Sequence, residues 1–412
     1  MNDSMADTTK DIWNDNDGEE EPRKPRHLRN FLIFFLTLAV VLGVVLVAAY
    51  RDGTGFDVLR RFFSYGTVEK AGGETVYRYD ASPSNRFVVL GDHLVVLSST
   101  ALRILDESGE EVWSTTVKME SPALASGGGR AVAYDVGGTE LYVVDETGPL
   151  LTLTAQETEP FIAATLNSKG YLAITAEKQN YKGCVSVYDK DLSRVIFEFK
   201  SSRRFVVDAY VTNDADSVAA VTLGQENSVF VSNVVLYDLT GSAAREDSQV
   251  DGGVEVDASA DYDISNGLVA AIGQQGNQLV TVSDTCLTFA NQKGEVSATY
   301  AYDGYLREFD LSGDDFTVLL LNRYQTGSVG RLVTVGTDGQ ELGSLDVQQE
   351  ILGVSAAGRY LAVLYMDSLV IYNQQLQEYA TLQGTDYARS VLMRQDGSAL
   401  LLSSESAILF LP

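Results

Sequence analysis

Apolar residues fall along this chain in two ways. From Phe31 to Tyr50 they run unbroken as FLIFFLTLAVVLGVVLVAAY, twenty residues without a charge. From Thr75 onward they come in short bursts rich in Val, Leu, Ile and Tyr, punctuated by Asp, Asn and Gly. The first pattern predicts one helix that crosses a bilayer, because twenty residues at 1.5 Å each span a hydrocarbon core of about 30 Å. The second predicts many short strands joined by tight turns.

One burst recurs: a strand, then Asp or Asn, then a turn often closed by Gly, then another strand. It starts at Leu102, Leu141, Val185, Val234, Leu287, Leu332, Leu369 and Ala407, at intervals of 37 to 53 residues. That brackets the roughly 40 to 50 residues of a four-stranded propeller blade. A second element, a turn before an apolar strand, recurs at Ser168-Lys169-Gly170, Ala357-Gly358 and Asp396-Gly397 and reads as the hairpin between a blade's first two strands. The fold expected is all-β: a propeller of about eight four-stranded blades over residues 75–412. Residues 251–284 admit more than one strand assignment and keep seven blades open.

The chain ends in what should be the third strand of the last blade, which would leave an open edge. Thr75-Val76-Tyr77-Arg78-Tyr79-Asp80 resembles Ala298-Thr299-Tyr300-Ala301-Tyr302-Asp303, an outer strand of the fifth blade. The N-terminal strand is therefore expected to close the ring beside the C-terminus. The two cysteines, Cys184 and Cys286, take the same place in repeats three and five. With a blade between them they cannot come within the ~7 Å that a disulfide requires, and two buried free thiols are expected.

Ahead of the propeller, residues 1–30 hold eight acidic and five basic side chains and few apolar ones, which predicts a disordered tail. Arg23, Lys24, Arg26 and Arg29 precede the apolar run; Arg51, Arg60 and Arg61 follow it. The excess of one favours a cytoplasmic N-terminus and an extracytoplasmic propeller in a single-pass plasma-membrane protein, with Phe31 to Tyr50 an uncleaved anchor in the lipid bilayer. Within a linker over residues 51–74, Phe56, Leu59 and Phe63 share one face of a short amphipathic helix. It suits a lipid surface or the domain equally.

Charge narrows the function. The formal net charge is −27, carried mostly beyond residue 30. Such a surface repels phosphate backbones, so no nucleic-acid partner is expected. His27 and His93 are the only histidines, which excludes multi-His metal centres and His-based triads. No Gly-x-Ser-x-Gly, HExxH or CxxC motif is present, and no metal or cofactor is expected.

Asp106-Glu107-Ser108-Gly109 followed by Trp113 resembles the repeat of quinoprotein-like propellers, which implies cofactor binding only where the tryptophan repeats; here it does not. Gly55-Phe56-Asp57-Val58-Leu59-Arg60-Arg61, Leu319 to Tyr324, Gly358 to Tyr365 and Val391 to Arg394 resemble an uncharacterised family of membrane-anchored propeller proteins of anaerobic Gram-positive bacteria. That resemblance implies the architecture and no functional residue.

In a propeller the loops from strand two to strand three share a face with the links between blades. Lys178, Tyr181, Lys182, Arg323 and Tyr324 fall in such loops, and Lys200, Arg203 and Arg204 in such a link. Together they are the candidate binding residues: cations on an acidic protein make a local anion or carboxylate-peptide site, and tyrosines add flat contact area. The expected role is a non-enzymatic binding or scaffold module for a protein, peptide or cell-envelope ligand. The alternative is an enzyme processing cell-surface polymers with carboxylates in the channel.

Overall fold

The computed structural model describes residues 35–38, 40–41, 43–44, 75–226, 228–240, 258–264 and 267–412. The chain divides into two compact units, Met1–Leu59 and Arg60–Pro412. In the first, the described residues are helical and all but Gly43 are exposed, and no helix among the described residues is long and apolar enough to cross a membrane. The acidic tail, the juxtamembrane helix and most of the expected spanning segment lie outside the described residues.

The second unit is all-β. Its strands form eight four-stranded antiparallel sheets, so the blade count is eight. Residues 251–284 hold the outer strand of blade four, Ala260–Ile264, and the first two strands of blade five, Val269–Gln275 and Gln278–Ser283. First strands of successive blades pack against one another, and the first strand of blade eight, Ser390–Met393, meets that of blade one, Arg86–Leu90. The ring is thus closed, with first strands innermost.

Burial explains the four strand types. Outermost strands such as Glu111–Thr116 alternate exposed and half-buried positions, as an edge facing water must. Second and third strands are the most covered; Phe316–Asn322 and Cys286–Ala290 are buried throughout. The core lies between blades, as eight hydrophobic clusters each drawn from two neighbours. Cys184 and Cys286 are free and buried. Burial pushes the Cys184 thiol up to about 11. Trp113 packs into the blade one–two cluster.

The repeated Asp or Asn has a local cause. Oδ1 of Asp106 accepts the N–H of Ser108 and of Glu110, and the Ser108 hydroxyl, which closes the turn between strands three and four. Asp145, Asp189, Asn291 and Asn373 do the same in other blades. In blade one Gly109 at φ +81° completes the turn, and a Cβ there would stand 2.2 Å from the Val76 carbonyl oxygen.

The N-terminal strand, Thr75–Arg78, is the fourth strand of blade eight. It pairs with Ser406–Phe410 in the register Tyr77 to Ala407 and Arg78 to Ser406. Tyr79 donates its N–H to the Glu405 carbonyl at 3.0 Å and its hydroxyl to the carbonyls of Ser403 and Ser406.

Candidate functional site

The free edges of the eight first strands face the central channel. In blades three to seven this strand carries a β-bulge near its start. A bulge re-aims the next side chain. In blade four that residue is Asp208 and in blade six Glu308.

Each reaches the first strand of the next blade. The Glu308 carboxyl accepts the Val354 N–H at 3.2 Å, and two residues on Asp310 accepts the Ala356 N–H at 2.8 Å. Asp208 accepts the N–H of Ala209 at 2.8 Å and that of Ile272 in blade five. Burial raises all three pKa values, that of Asp208 to about 7, with the N–H donors pulling the other way. These carboxyls satisfy channel-facing backbone donors and tie blade to blade. Each thus spends at least one carboxylate oxygen on the wall, and in Asp310 both oxygens accept N–H groups.

The face made by the second-to-third-strand loops and the inter-blade links differs from the rest. Exposed large apolar side chains gather there: Val136, Tyr324, Val329 and Met366 in loops, Leu268 and Tyr387 in links, Phe205 and Tyr305 at the first positions of inner strands, and Val229 and Phe230 on a hairpin. The remaining ones among the described propeller residues, Val112, Leu150, Val195 and Val296, sit near the starts of outermost strands, at the opposite rim. On the loop face a depression of ≈ 730 Å³ lies at the junction of blades one and two, lined by Pro83, Arg86, Glu120, Pro122, Leu124 and Val136 among others.

Blade four stands out on this face. Its second and third strands, Ser217–Glu226 and Val229–Asp238, are ten residues each, against four to nine for the other described strands. The first strand covers this hairpin only as far as Leu223, and the fourth only as far as Ser232. Gly224 to Glu226 and Val229 to Val231 project beyond both as a two-stranded arm. Phe205 is 53% exposed at its base, and Val229 and Phe230 are 64% and 58% exposed at its tip.

The structure brings six of the expected cations and aromatics together beside this arm. The blade-three loop and the link to blade four are joined by hydrogen bonds from the Lys182 N–H to the Ser201 carbonyl and from the Ser201 N–H to the Gly183 carbonyl. Lys178 pairs with Glu159 at 2.7 Å, and Lys200 with Glu198 at 2.9 Å. Lys178 and Lys200 both depress the Glu159 pKa, with the Lys178 hydrogen bond the larger cause, and Tyr181 acts on Lys200. Lys182 holds its ammonium 5.0 Å from the centre of the Phe205 ring. Arg203 and Arg204 occupy the link itself.

Arg204 acts as a brace. Its Nε donates to Thr222 Oγ1 at 3.1 Å and its Nη2 to the Val231 carbonyl at 2.7 Å, across both strands of the arm. The guanidinium lies on Gly224, where a Cβ would come within 2.7 Å of it. Arg323 and Tyr324 stand elsewhere, in the loop of blade six, where Tyr324 is 63% exposed.

Sequence reasoning missed the arm and the channel carboxyls. Both left a signal. Ser217 to Glu226 and Val229 to Asp238 flank Asn227-Ser228, a turn pair between long β-forming runs. Phe205-Val206-Val207-Asp208 and Tyr305-Leu306-Arg307-Glu308 place an acid at the same step of two apolar strands.

The chain belongs to a family of unknown function (DUF5711), whose match covers residues 68–406. No curated protein matches it by sequence. Among solved structures it is similar to BamB from Moraxella catarrhalis, at 11% identity and TM-score 0.49 over 82% of this chain and 99% of that one. It is similar also to the dihydro-heme d1 dehydrogenase NirN in complex with DHE, at 11% identity and TM-score 0.50 over 74% and 67%. A third is the β-propeller domain of Cps50 (Swd1) from Myceliophteria thermophila, at 11% identity and TM-score 0.46 over 84% and 100%. At such identities the likeness concerns the fold alone.

Proposed function

We propose that this chain is a membrane-tethered, extracytoplasmic propeller that binds a protein partner on its loop face and catalyses no reaction. Support for the tether is the uncharged run Phe31 to Tyr50 and its flanking charges. Support for binding is one observation, the gathering of exposed apolar side chains on the loop face. A monomer with a strongly acidic surface has no solubility reason to collect Tyr324, Met366, Val229 and Phe230 on one side. Aromatic, Met and aliphatic side chains rimmed by charge are the composition of a contact surface. The structural use of Asp208, Glu308 and Asp310 in joining blade to blade also supports binding over polymer hydrolysis.

The test is site-specific photocrosslinking of the full-length chain in its own cells. A photoreactive residue replaces Tyr324 or Met366 on the loop face, or Val195 or Val296 on the rim. Discrete protein adducts from the loop-face positions and none from the rim are expected. Adducts from the rim alone, or from no position, would overturn the reading. Protease treatment of intact cells checks the side of the membrane: the propeller should be cut and the tail protected.

A further inference from the structure

The arm of blade four has two unlike flanks, fixed by its register. Thr222, Gly224, Val229 and Val231 lie on one flank, with Val218 and Ala220 of the same strand packed against blade three. Phe230 and Ser232 lie on the other, where the Val269 N–H of blade five bonds Ser232. The blade-three flank faces the cation-bearing loop and link; the blade-five flank carries Phe230, with exposed Leu268 beside the start of the next blade.

Three properties of the cationic flank point to a ligand. It holds five cations, Lys178, Lys182, Lys200, Arg203 and Arg204, against the three carboxylates Glu159, Glu177 and Glu198, on a protein of net charge −27. Lys182 is exposed and stacks on Phe205. The half-buried Lys178–Glu159 pair and the Lys200–Glu198 pair each use one carboxylate, and an ammonium with three N–H donors has donors left for a second. The apolar tip is also held in place, because Arg204 braces both strands of the arm. A contact group ordered before binding loses less entropy on binding.

We infer that this arm is the anchor of the loop face and that it takes an acidic amphipathic segment of a partner protein. Carboxylates of that segment meet Lys178, Lys182 and Lys200, and its apolar side chains cover Phe205 and Val229 beside them and cross the tip to Phe230. The complementarity is of charge and of apolar area: other segments of the surface are acidic and would repel the same ligand. Aromatic and aliphatic side chains at the tip supply the desolvated centre and the lysines the rim, the usual division at an interface. This rests on the loop face being the binding face.

The experiment measures fluorescence anisotropy of the full-length chain with a labelled twelve-residue peptide alternating Glu with Leu and Phe, and with its counterpart carrying Lys for Glu. The acidic peptide should bind and the basic one should not, and raising salt from 50 to 300 mM should weaken binding several-fold. Lys178→Gln, Lys182→Gln and Lys200→Gln together should weaken it at least ~10-fold, as should Val229→Ser with Phe230→Ser, and Lys→Arg at the three positions should retain it. Unchanged urea midpoints show that the substitutions leave the fold intact. Equal binding of both peptides, binding of neither, or binding indifferent to the substitutions overturns the inference. If crosslinks from Tyr324 and Met366 persist in that case, the loop-face reading stands and only its anchor is wrong.

Discussion

Removing the side chain of Tyr77 should open the ring. Tyr77 is 2% exposed and belongs to the cluster between blades eight and one, with Leu94, Val96, Leu105, Leu400, Leu402 and Ala407. Its hydroxyl donates to the Asp92 carbonyl at 2.8 Å, and burial holds the phenol protonated as that donor. Truncating a buried aromatic to alanine costs about 3–5 kcal/mol, and losing one hydrogen bond about 1 kcal/mol. Tyr77→Phe should therefore cost ~1 kcal/mol and Tyr77→Ala ~4 kcal/mol or more. Because Tyr77 pairs across from Ala407, the second loss also weakens the one seam that joins the two ends of the propeller. Urea denaturation followed by tryptophan fluorescence gives the midpoints, and limited proteolysis reports where opening starts. Cleavage should appear first between Ser390 and Phe410. The rim variant Val112→Ala serves as control and should stay within ~0.5 kcal/mol of wild type. A Tyr77→Ala loss no larger than that of Tyr77→Phe, or first cleavage in blades three to six, would refute the seam argument.

Two further outcomes follow from buried ionisable groups. The Asp208 pKa is raised from 3.8 to about 7, so the folded protein keeps a proton that the unfolded chain has lost between those values. Its contribution to stability is whole below pH ~4 and lost as pH rises through ~7. Asp208→Asn keeps an acceptor oxygen and removes the titration, so its unfolding free energy from urea titration, relative to wild type, should climb from pH 4 to pH 8, by ~2–4 kcal/mol at about 1.4 kcal/mol per unit. A flat difference would show that Asp208 titrates normally. Cys184 and Cys286, buried and in blades two apart, should resist a disulfide-exchange reagent at pH 8 and both react in strong denaturant. Fast stoichiometric labelling of the native protein would contradict their burial.

The repeat was legible because its signal is local. An Asx turn needs Asp or Asn at the end of strand three whatever the neighbouring blades do, so Asp106, Asp145, Asp189, Asn291 and Asn373 mark the blades in the sequence. Ring closure was legible by counting, since a final blade one strand short needs a donor and Thr75 to Asp80 reads like an outer strand. Of the candidate site, the blade-three cations and the link were identified by type and loop position. Their different roles were not: Arg204 looks like a ligand contact in the sequence and is a brace in the fold. Arg323 and Tyr324 share a loop class with Lys178 and Tyr181 yet belong to blade six.

The sequence by itself determined the strand alternation, the turn chemistry, the repeat, the closing strand and the separated cysteines, while the choice of eight blades over seven waited on the strands of residues 251–284. Each follows from backbone requirements within a few residues or from the order of repeats along the chain. Only the tertiary structure decided what depends on where neighbouring blades end. The blade-four strands became an exposed arm because both flanking strands stop short at Leu223 and Ser232. The same kind of apolar side chain is core where a neighbouring blade covers it and contact surface where none does. Asp208, Glu308 and Asp310 became seams between blades because the next inner strand offers its N–H groups there.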